Sequence, residues 1–241
     1  MQLLIECWLL IATAGIFELP LGLEHGPPPQ LPALTRYEPP AFPEALRLTP
    51  ITDGYAAMMF TIDDDGHVAD SVAIEASHPA FAATMREVFA KWRFERAESP
   101  TTPRRELINF DFRRTGTVAS LSQRDASKSA FPRTPADRER PIRTVDWVNL
   151  VSPPRRLQGA MPIYPPELRA RATRGFAHIS FILDMEGVVR VPVILGASAP
   201  EFGSAALAAV KGWRFDQPSV ADERVNVRVE RSFNFGGASA K

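Results

Sequence analysis

The two halves of this chain repeat each other at a shift of about 121 residues, and this repeat limits the fold more than any other sequence feature. The matched positions, in chain order, are Gly54 with Gly175, Phe60 with Phe181, Asp63 with Asp184, Gly66 with Gly187, Val72 with Val193, Pro79 with Pro200, Phe81 with Phe202, Trp92-Arg93-Phe94 with Trp213-Arg214-Phe215 and, after small indels, Phe110-Asp111-Phe112 with Phe233-Asn234-Phe235. A unit of about 70 residues is too long for a solenoid repeat. The sequence therefore predicts two small domains of one type.

The second copy has the clearer pattern of helices and strands. Its apolar residues alternate with polar ones on both sides of an Asp184-x-x-Gly187 turn, which is typical of a β-hairpin. Gly175 is expected to cap the first helix, and Ser198 to open a capping box for the second. The predicted elements, in the order αββαβ, are a helix from Pro165-Pro166-Glu167, strands over 177–183 and 189–195, a helix from Pro200 and a strand over Val225–Phe235.

Chain connectivity restricts how the three strands pair. The hairpin strands run in opposite directions and one helix returns the chain, so the third strand pairs with the first and the spatial order is 2-1-3. Pro192 lies in strand two, where an edge position tolerates it. The other edge, Val225–Phe235, has no proline and is open to pairing with another extended chain. The predicted fold class is α+β, with two tandem αββαβ domains, each a three-stranded antiparallel sheet packed by helices.

The connectors account for much of the proline, which numbers 23 residues, about twice the usual share of roughly 5%. Pro27-Pro28-Pro29 and Pro39-Pro40 predict a semi-rigid spacer. Val145–Leu150, inside a polar linker, is expected to form a short strand that docks on a neighbour. The predicted divisions are a signal peptide or weak membrane anchor over 1–23, a Pro-rich spacer over 24–40, a degenerate first domain over 41–113, a polar linker over 114–150, the second domain over 151–236 and a tail over 237–241.

Composition argues against several classes of protein. The chain has 28 basic and 28 acidic residues, so nothing in its net charge favours nucleic-acid binding. Its single cysteine, Cys7, excludes an internal disulfide, and its four histidines lack metal-ligand spacing. Asp63-Asp64-Asp65-Gly66 is contiguous and is interpreted as a hairpin turn, not as a calcium loop. We expect no enzyme activity, no metal and no cofactor.

The repeated motifs resemble those of the TonB C-terminal domain of bacterial energy transducers. The resemblance covers Val151–Phe235 well and Phe42–Phe112 more weakly, because Phe42 replaces a tyrosine and Pro50 interrupts the opening helix. The motifs of the second copy that carry it are Tyr164-Pro165, Gly175, Asp184-x-x-Gly187, Ala197-Ser198, Trp213-Arg214-Phe215 and Phe233-x-Phe235. The resemblance implies a periplasmic binding module rather than a catalyst.

Domains of this family add a short extended peptide of an outer-membrane transporter to a sheet edge, and an inner-membrane anchor with its motor proteins supplies force from the proton gradient. The resemblance implies these roles here, with residues 1–23 as the possible anchor. The implied docking residues are Val225, Asn226, Val227, Arg228, Val229 and Glu230, with Tyr164 and Pro165 nearby. Proline at Val227 is expected to abolish peptide binding while the fold survives.

Two alternatives stay open at this point. The protein is either a TonB-like transducer or a secreted periplasmic interaction module without an energy-coupling role, because about twenty Pro-rich residues reach only some 60 Å as polyproline II. The free edges of the two copies are also able to pair with each other, or with those of another copy of the chain, which would close the docking site.

Overall fold

Two successive units of the same element order make up the computed structural model, which describes residues 34–96, 104–114 and 142–236. The first unit, here called the first module, opens on a short strand and a 3-10 turn at Glu44–Leu46. Its strands and helix are β1 (Leu34–Arg36), β2 (Asp53–Ile62), β3 (Val68–Ala76), α1 (Pro79–Phe89), β4 (Arg93–Phe94) and β5 (Arg104–Arg113).

The second unit follows a connecting strand and has the same order with a true opening helix. The connecting strand is β6 (Thr144–Asp146), and a 3-10 turn follows it at Trp147–Asn149. The second module then consists of β7 (Arg156–Gln158), α2 (Pro166–Ala170), β8 (Gly175–Leu183), β9 (Val189–Ala197), α3 (Pro200–Lys211), β10 (Arg214–Phe215), β11 (Ser219–Val220), β12 (Glu223–Arg224) and β13 (Asn226–Phe235). The α+β class is confirmed.

The predicted 2-1-3 strand order is confirmed in both modules. The first sheet runs β3-β2-β5 and the second runs β9-β8-β13, with all of these pairs antiparallel. Pro192 lies in β9, which is an edge strand as expected. The second sheet gains one strand that the connectivity of the repeat did not predict, because β6 pairs in parallel with the start of β13.

Each sheet buries one face under its own helix and part of its other face against the other sheet. Under α1 and α3 lie aromatic cores that contain Phe60 and Phe181 at equivalent positions. The sheets meet through a smaller apolar cluster of Ala57, Met59, Val72 and Ile74 from the first module and Ile182 and Val191 from the second. The two modules are therefore packed together and not separated by a linker, since both lie in one compact unit.

One repeated glycine in each module is required by the local backbone conformation. Gly66 and Gly187 have φ of +81° and +80°, and a Cβ at either would overlap the carbonyl oxygen of Phe94 or Phe215. Left-handed backbone favours glycine because it has no Cβ. The Asp-x-x-Gly turns are thus held by the strand that follows the helix.

Two expected helix caps are wrong. Gly175 does not end α2. It is the first residue of β8, where the Phe202 ring and the Ser198 hydroxyl occupy the space of a Cβ. Ser198 does not cap α3 either, since Ala199 is the N-cap residue and the Ser198 Oγ accepts the Phe176 N–H at 2.8 Å. Both residues instead join the strand to the helix.

Several predicted segments lie outside the described residues. They are the signal peptide or anchor over 1–23, most of the spacer, most of the linker and the tail. Among the residues that are described, no helix has the length and apolar character needed to cross a membrane.

Candidate functional site

The candidate site is the outer edge of β13, and its backbone alternates between two neighbours. Val229 pairs with Phe181 of β8, whereas the Asn226 N–H donates to the Arg143 carbonyl oxygen on the opposite side, at 2.9 Å. Because successive backbone groups of a strand point in opposite directions, odd-numbered residues bond to β8. Asn226, Arg228, Glu230, Ser232 and Asn234 therefore turn their backbone groups outward.

The side chains of the predicted docking residues divide between the core and the opposite face. Val225, Val227 and Val229 are fully buried in the core of the second module. Arg228 and Glu230 are exposed on the other face, where Glu230 lies 3.4 Å from His178. The valines therefore hold the strand in place, and only its backbone and its polar side chains are available to a partner.

A segment of the same chain already occupies the first part of this edge. Ile142–Asp146, here called the linker strand, pairs in parallel with Asn226–Arg228 through its last three residues, 144–146. A short strand that docks on a neighbour is present, but it covers Thr144–Asp146, and the rest of the predicted Val145–Leu150 segment forms a 3-10 turn. The two copies do not close each other's edges directly in the described structure, because the linker strand covers this part of β13.

No described strand pairs with the rest of the edge, although the 3-10 turn at Trp147–Asn149 contacts β13 near Arg231. The outward backbone groups of Glu230, Ser232 and Asn234 have no strand beside them in residues 34–96, 104–114 and 142–236. All three side chains are exposed. The accessible part of the edge is thus nearer the end of β13 than the predicted range 225–230.

Tyr164 and Pro165 lie at the far end of β13. The Tyr164 ring packs edge-on against Phe202 and Phe235, with ring centroids 5.6 and 5.8 Å apart, and its hydroxyl donates to the Thr173 carbonyl oxygen. Pro165 is buried as the N-cap residue of α2. A ten-residue strand spans roughly 30 Å, so these two residues adjoin the open half of the edge and not Val225–Arg228.

Arg231, the one charged residue on the apolar face of β13, has an aromatic partner that the sequence did not assign to it. Its guanidinium carbon lies 4.4 Å from the centroid of the Trp147 ring, directly after the linker strand. Burial lowers the pKa of the Arg231 guanidinium. The charged break in the apolar face was the only sequence sign that this position needed a neighbour.

The contacts between the modules were also not predicted from the sequence. Asp70 accepts the Val191 N–H at 2.7 Å through Oδ2 and pairs with Arg190 at 2.9 Å through Oδ1. The Asn226 side chain, buried at the start of β13, donates to the Ala73 carbonyl oxygen at 2.7 Å. A predicted docking residue is therefore tied to the first module.

An arginine of the first module, Arg105, lies beside the exposed face of β13. Arg105 of β5 donates to the Ser180 hydroxyl at 3.0 Å. Its pKa is lowered by burial and by the nearby positive charge of Arg228, while Glu230 opposes this effect. The polar face of β13 is therefore part of a network that spans both modules.

Comparisons with known proteins concern mainly the second module. The family model for the Gram-negative bacterial TonB protein C-terminal region matches residues 160–236. No curated protein matches the chain. Among solved structures, the chain is similar to the solution NMR structure of the Pseudomonas aeruginosa TonB CTD, with 19% identity, 40% of this chain and 97% of that chain covered, and a TM-score of 0.34. Residues 160–236 are therefore a TonB C-terminal domain, preceded by a similar β/α unit that the family model does not match.

Proposed function

We propose that the protein is a periplasmic TonB-like protein whose second module binds an extended segment of an outer-membrane transporter by strand addition to β13. Its role in this proposal is to support energy-coupled transport across the outer membrane. The family match over residues 160–236 supports the class of function. The outward backbone groups of β13 support the binding mode, because an unpaired strand edge is a template for another extended chain.

One observation carries the proposal: the row of outward N–H and C=O groups at Glu230, Ser232 and Asn234. A strand rises about 3.4 Å per residue, so this stretch accommodates a partner segment of about five residues. Backbone hydrogen bonds supply the affinity in this mode, and the neighbouring side chains supply the selectivity. Glu230 with His178 on one face and Trp147 with Arg231 on the other are the side chains in position to discriminate between partners.

The structure changes which residue tests this edge. Val227 is fully buried and its backbone faces β8, so proline there would remove an internal bond and disturb the core. Ser232 is exposed and its N–H faces outward. Proline is tolerated at an outer edge position but cannot donate to an added strand.

We therefore predict that Ser232→Pro weakens partner binding by about tenfold or more, whereas Ser232→Ala, which keeps the backbone donor, does not. The measurement is a titration of the full isotope-labelled chain with tiled synthetic peptides from outer-membrane transporters of the same bacterium, followed by NMR. Binding peptides should shift the amide signals of Glu230, Ser232 and Asn234. Shifts confined to another surface, or equal affinity in both variants, would reject docking at this edge.

The energy-coupling role has a separate test. A transducer must remain attached to the inner membrane, so the mature chain should stay with that membrane on fractionation after a salt wash. A chain that washes off with its N-terminus removed would instead be the secreted interaction module, and strand addition would stand without energy coupling.

A further inference from the structure

The linker strand joins the edges of both sheets through alternate backbone groups. The Ile142 carbonyl oxygen accepts the Ala76 N–H of β3 at 3.0 Å, and the next carbonyl, that of Arg143, accepts the Asn226 N–H of β13 at 2.9 Å. Thr144 then donates its hydroxyl to the Ile74 carbonyl oxygen at 2.7 Å. The first module therefore holds the strand that covers the start of the candidate docking edge.

The linker strand contacts β13 in the way that a strand-adding peptide would. It is extended, it pairs with the outward groups of Asn226 and Arg228, and it is followed by an aromatic anchor, Trp147, stacked on Arg231. Alternating backbone bonds with a side-chain anchor are the contacts of strand addition. Two of the five outward-facing residues of β13 are thus occupied from within the chain.

The rest of this attachment combines buried and exposed contacts, since Ile142 is buried in the core of the first module and Leu150 in that of the second. The ion pairs that flank it, Arg143–Glu223 at 3.3 Å and Arg228–Asp146 at 3.5 Å, have largely exposed side chains. Exposed ion pairs add little stability and are screened by salt. The ladder between the linker strand and β13 is itself short, with three paired residues.

We propose that the linker strand is an intrachain occupant of the docking edge, and that the first module regulates docking by holding it there. This inference rests on the proposed function, since it concerns access to the same edge. A partner that takes the whole of β13 has to displace the linker strand. A partner that leaves it in place is confined to Glu230–Asn234.

Val145→Pro releases the linker strand in this proposal. The backbone of Val145 faces β13, because Arg143 two residues earlier bonds to Asn226, and proline there removes the donor. Hydrogen exchange of the Asn226 and Arg228 amides should become about tenfold faster or more, while the Val227 and Val229 amides, which bond to β8, stay protected. Val151→Pro, at an exposed residue outside every strand, is the matched control. Equal exchange at Asn226 in the unmodified chain and Val145→Pro would overturn the proposal.

A peptide copy of residues 142–150 tests the same occupancy by competition. It should bind the Val145→Pro chain at least about tenfold more tightly than the unmodified chain, and it should restore protection of Asn226. The same peptide with proline in place of Val145 is the control and should bind neither chain. Equal binding of the copy peptide to both chains would show that its site is not covered in solution.

The transporter peptides used to test docking separate the two proposals. Tighter binding to Val145→Pro than to the unmodified chain supports both docking and its regulation. Equal binding to the two chains keeps docking at β13 and rejects the regulation. Binding to neither chain, with the exchange result unchanged, rejects the docking function and removes the regulatory meaning of the occupied edge.

The part played by the first module is tested by Thr144→Val, which keeps the shape of the side chain but loses its hydroxyl. Loss of the bond to Ile74 should speed exchange of Asn226 by about three- to tenfold, without the complete release expected for Val145→Pro. Exchange that does not change would mean that the second module alone retains the linker strand.

Discussion

The two modules share their internal contacts but differ at their third strands and opening helices. In both, a tryptophan after the helix donates its indole N–H to a carbonyl oxygen before the opening turn: Trp92 to Glu38 at 2.9 Å and Trp213 to Ala160 at 2.8 Å. The opening helix is a 3-10 turn in the first module and α2 in the second. Contacts that build a module are therefore kept in both.

The core faces of the third strands show the difference most directly. Glu106 of β5 and Val229 of β13 occupy equivalent places, since they pair with Phe60 and Phe181. The following core-facing positions are Ile108 and Arg231. Each sheet thus carries one charged residue on its core-facing side, and in the second module Trp147, which follows the linker strand, lies against it.

The largest expected effect concerns the Asp-x-x-Gly turns that the two modules share. Gly187→Ala and Gly66→Ala should each lower the free energy of unfolding by about 3 kcal/mol, because alanine disfavours the left-handed backbone and its Cβ meets a carbonyl oxygen of the neighbouring strand. Chemical denaturation of the full chain measures this loss.

Gly196→Ala is the matched control for the glycine pair. It lies in β9 without a positive φ, and a Cβ there would meet no atom within 4 Å. We expect a change within about 0.5 kcal/mol. A loss at Gly187 with none at Gly66 would break the equivalence of the two turns.

An intermediate effect tests the contact between the modules. Asp70→Ala should cost about 1–3 kcal/mol, because it leaves the Val191 N–H, in a residue with φ of +44°, without its acceptor. Hydrogen exchange at the Val191 amide should rise together with the loss of stability. Asp65→Ala is the control, since Asp65 forms an exposed ion pair with Arg96 inside one module and should cost less than about 0.5 kcal/mol. Equal losses in the two variants would mean that the Asp70 contact adds nothing to stability.

The smallest effect concerns pH and the third strand of the first module. Burial raises the pKa of the Glu106 carboxyl, and the charge of Arg104 opposes this rise. The folded state therefore binds the proton more tightly than the unfolded state, so this contribution to stability is complete below the unfolded pKa and is lost as pH rises through the folded pKa. The free energy of unfolding of Glu106→Gln, relative to that of the unmodified chain, should accordingly be higher at pH 7 than at pH 4. The same difference at both pH values, in denaturation series, would contradict the assignment.

The fold was predictable from the sequence because its signals act within a module. The Asp184-x-x-Gly187 turn, the alternation over β8 and the motif Trp213-Arg214-Phe215 all concern contacts inside one repeat. Strand order followed from connectivity alone. The errors at Gly175 and Ser198 arose because a local cap and a close tertiary approach require the same residue types.

The candidate site was predictable only in part. Val225–Glu230 was expected on a free sheet edge, but its first residues are paired on both sides, by β8 and by β6, and its three valines face the core. The alternation along β8 and β9 gave no sign that Ile182 and Val191 meet the first module. The alternation of apolar residues in a strand shows that one of its faces is buried. It does not show which other part of the protein covers that face.

The sequence by itself determined the two αββαβ modules and the order of their strands, because repeated local motifs and chain connectivity leave few other arrangements. Only the tertiary structure decided that the sheets meet face to face and that Ile142–Asp146 covers the start of β13. That choice depends on hydrogen bonds between residues more than 60 positions apart, such as Thr144 to Ile74 and Arg143 to Asn226. A strand as short as this has no sequence period of its own, so its place is set by the two sheet edges that it joins.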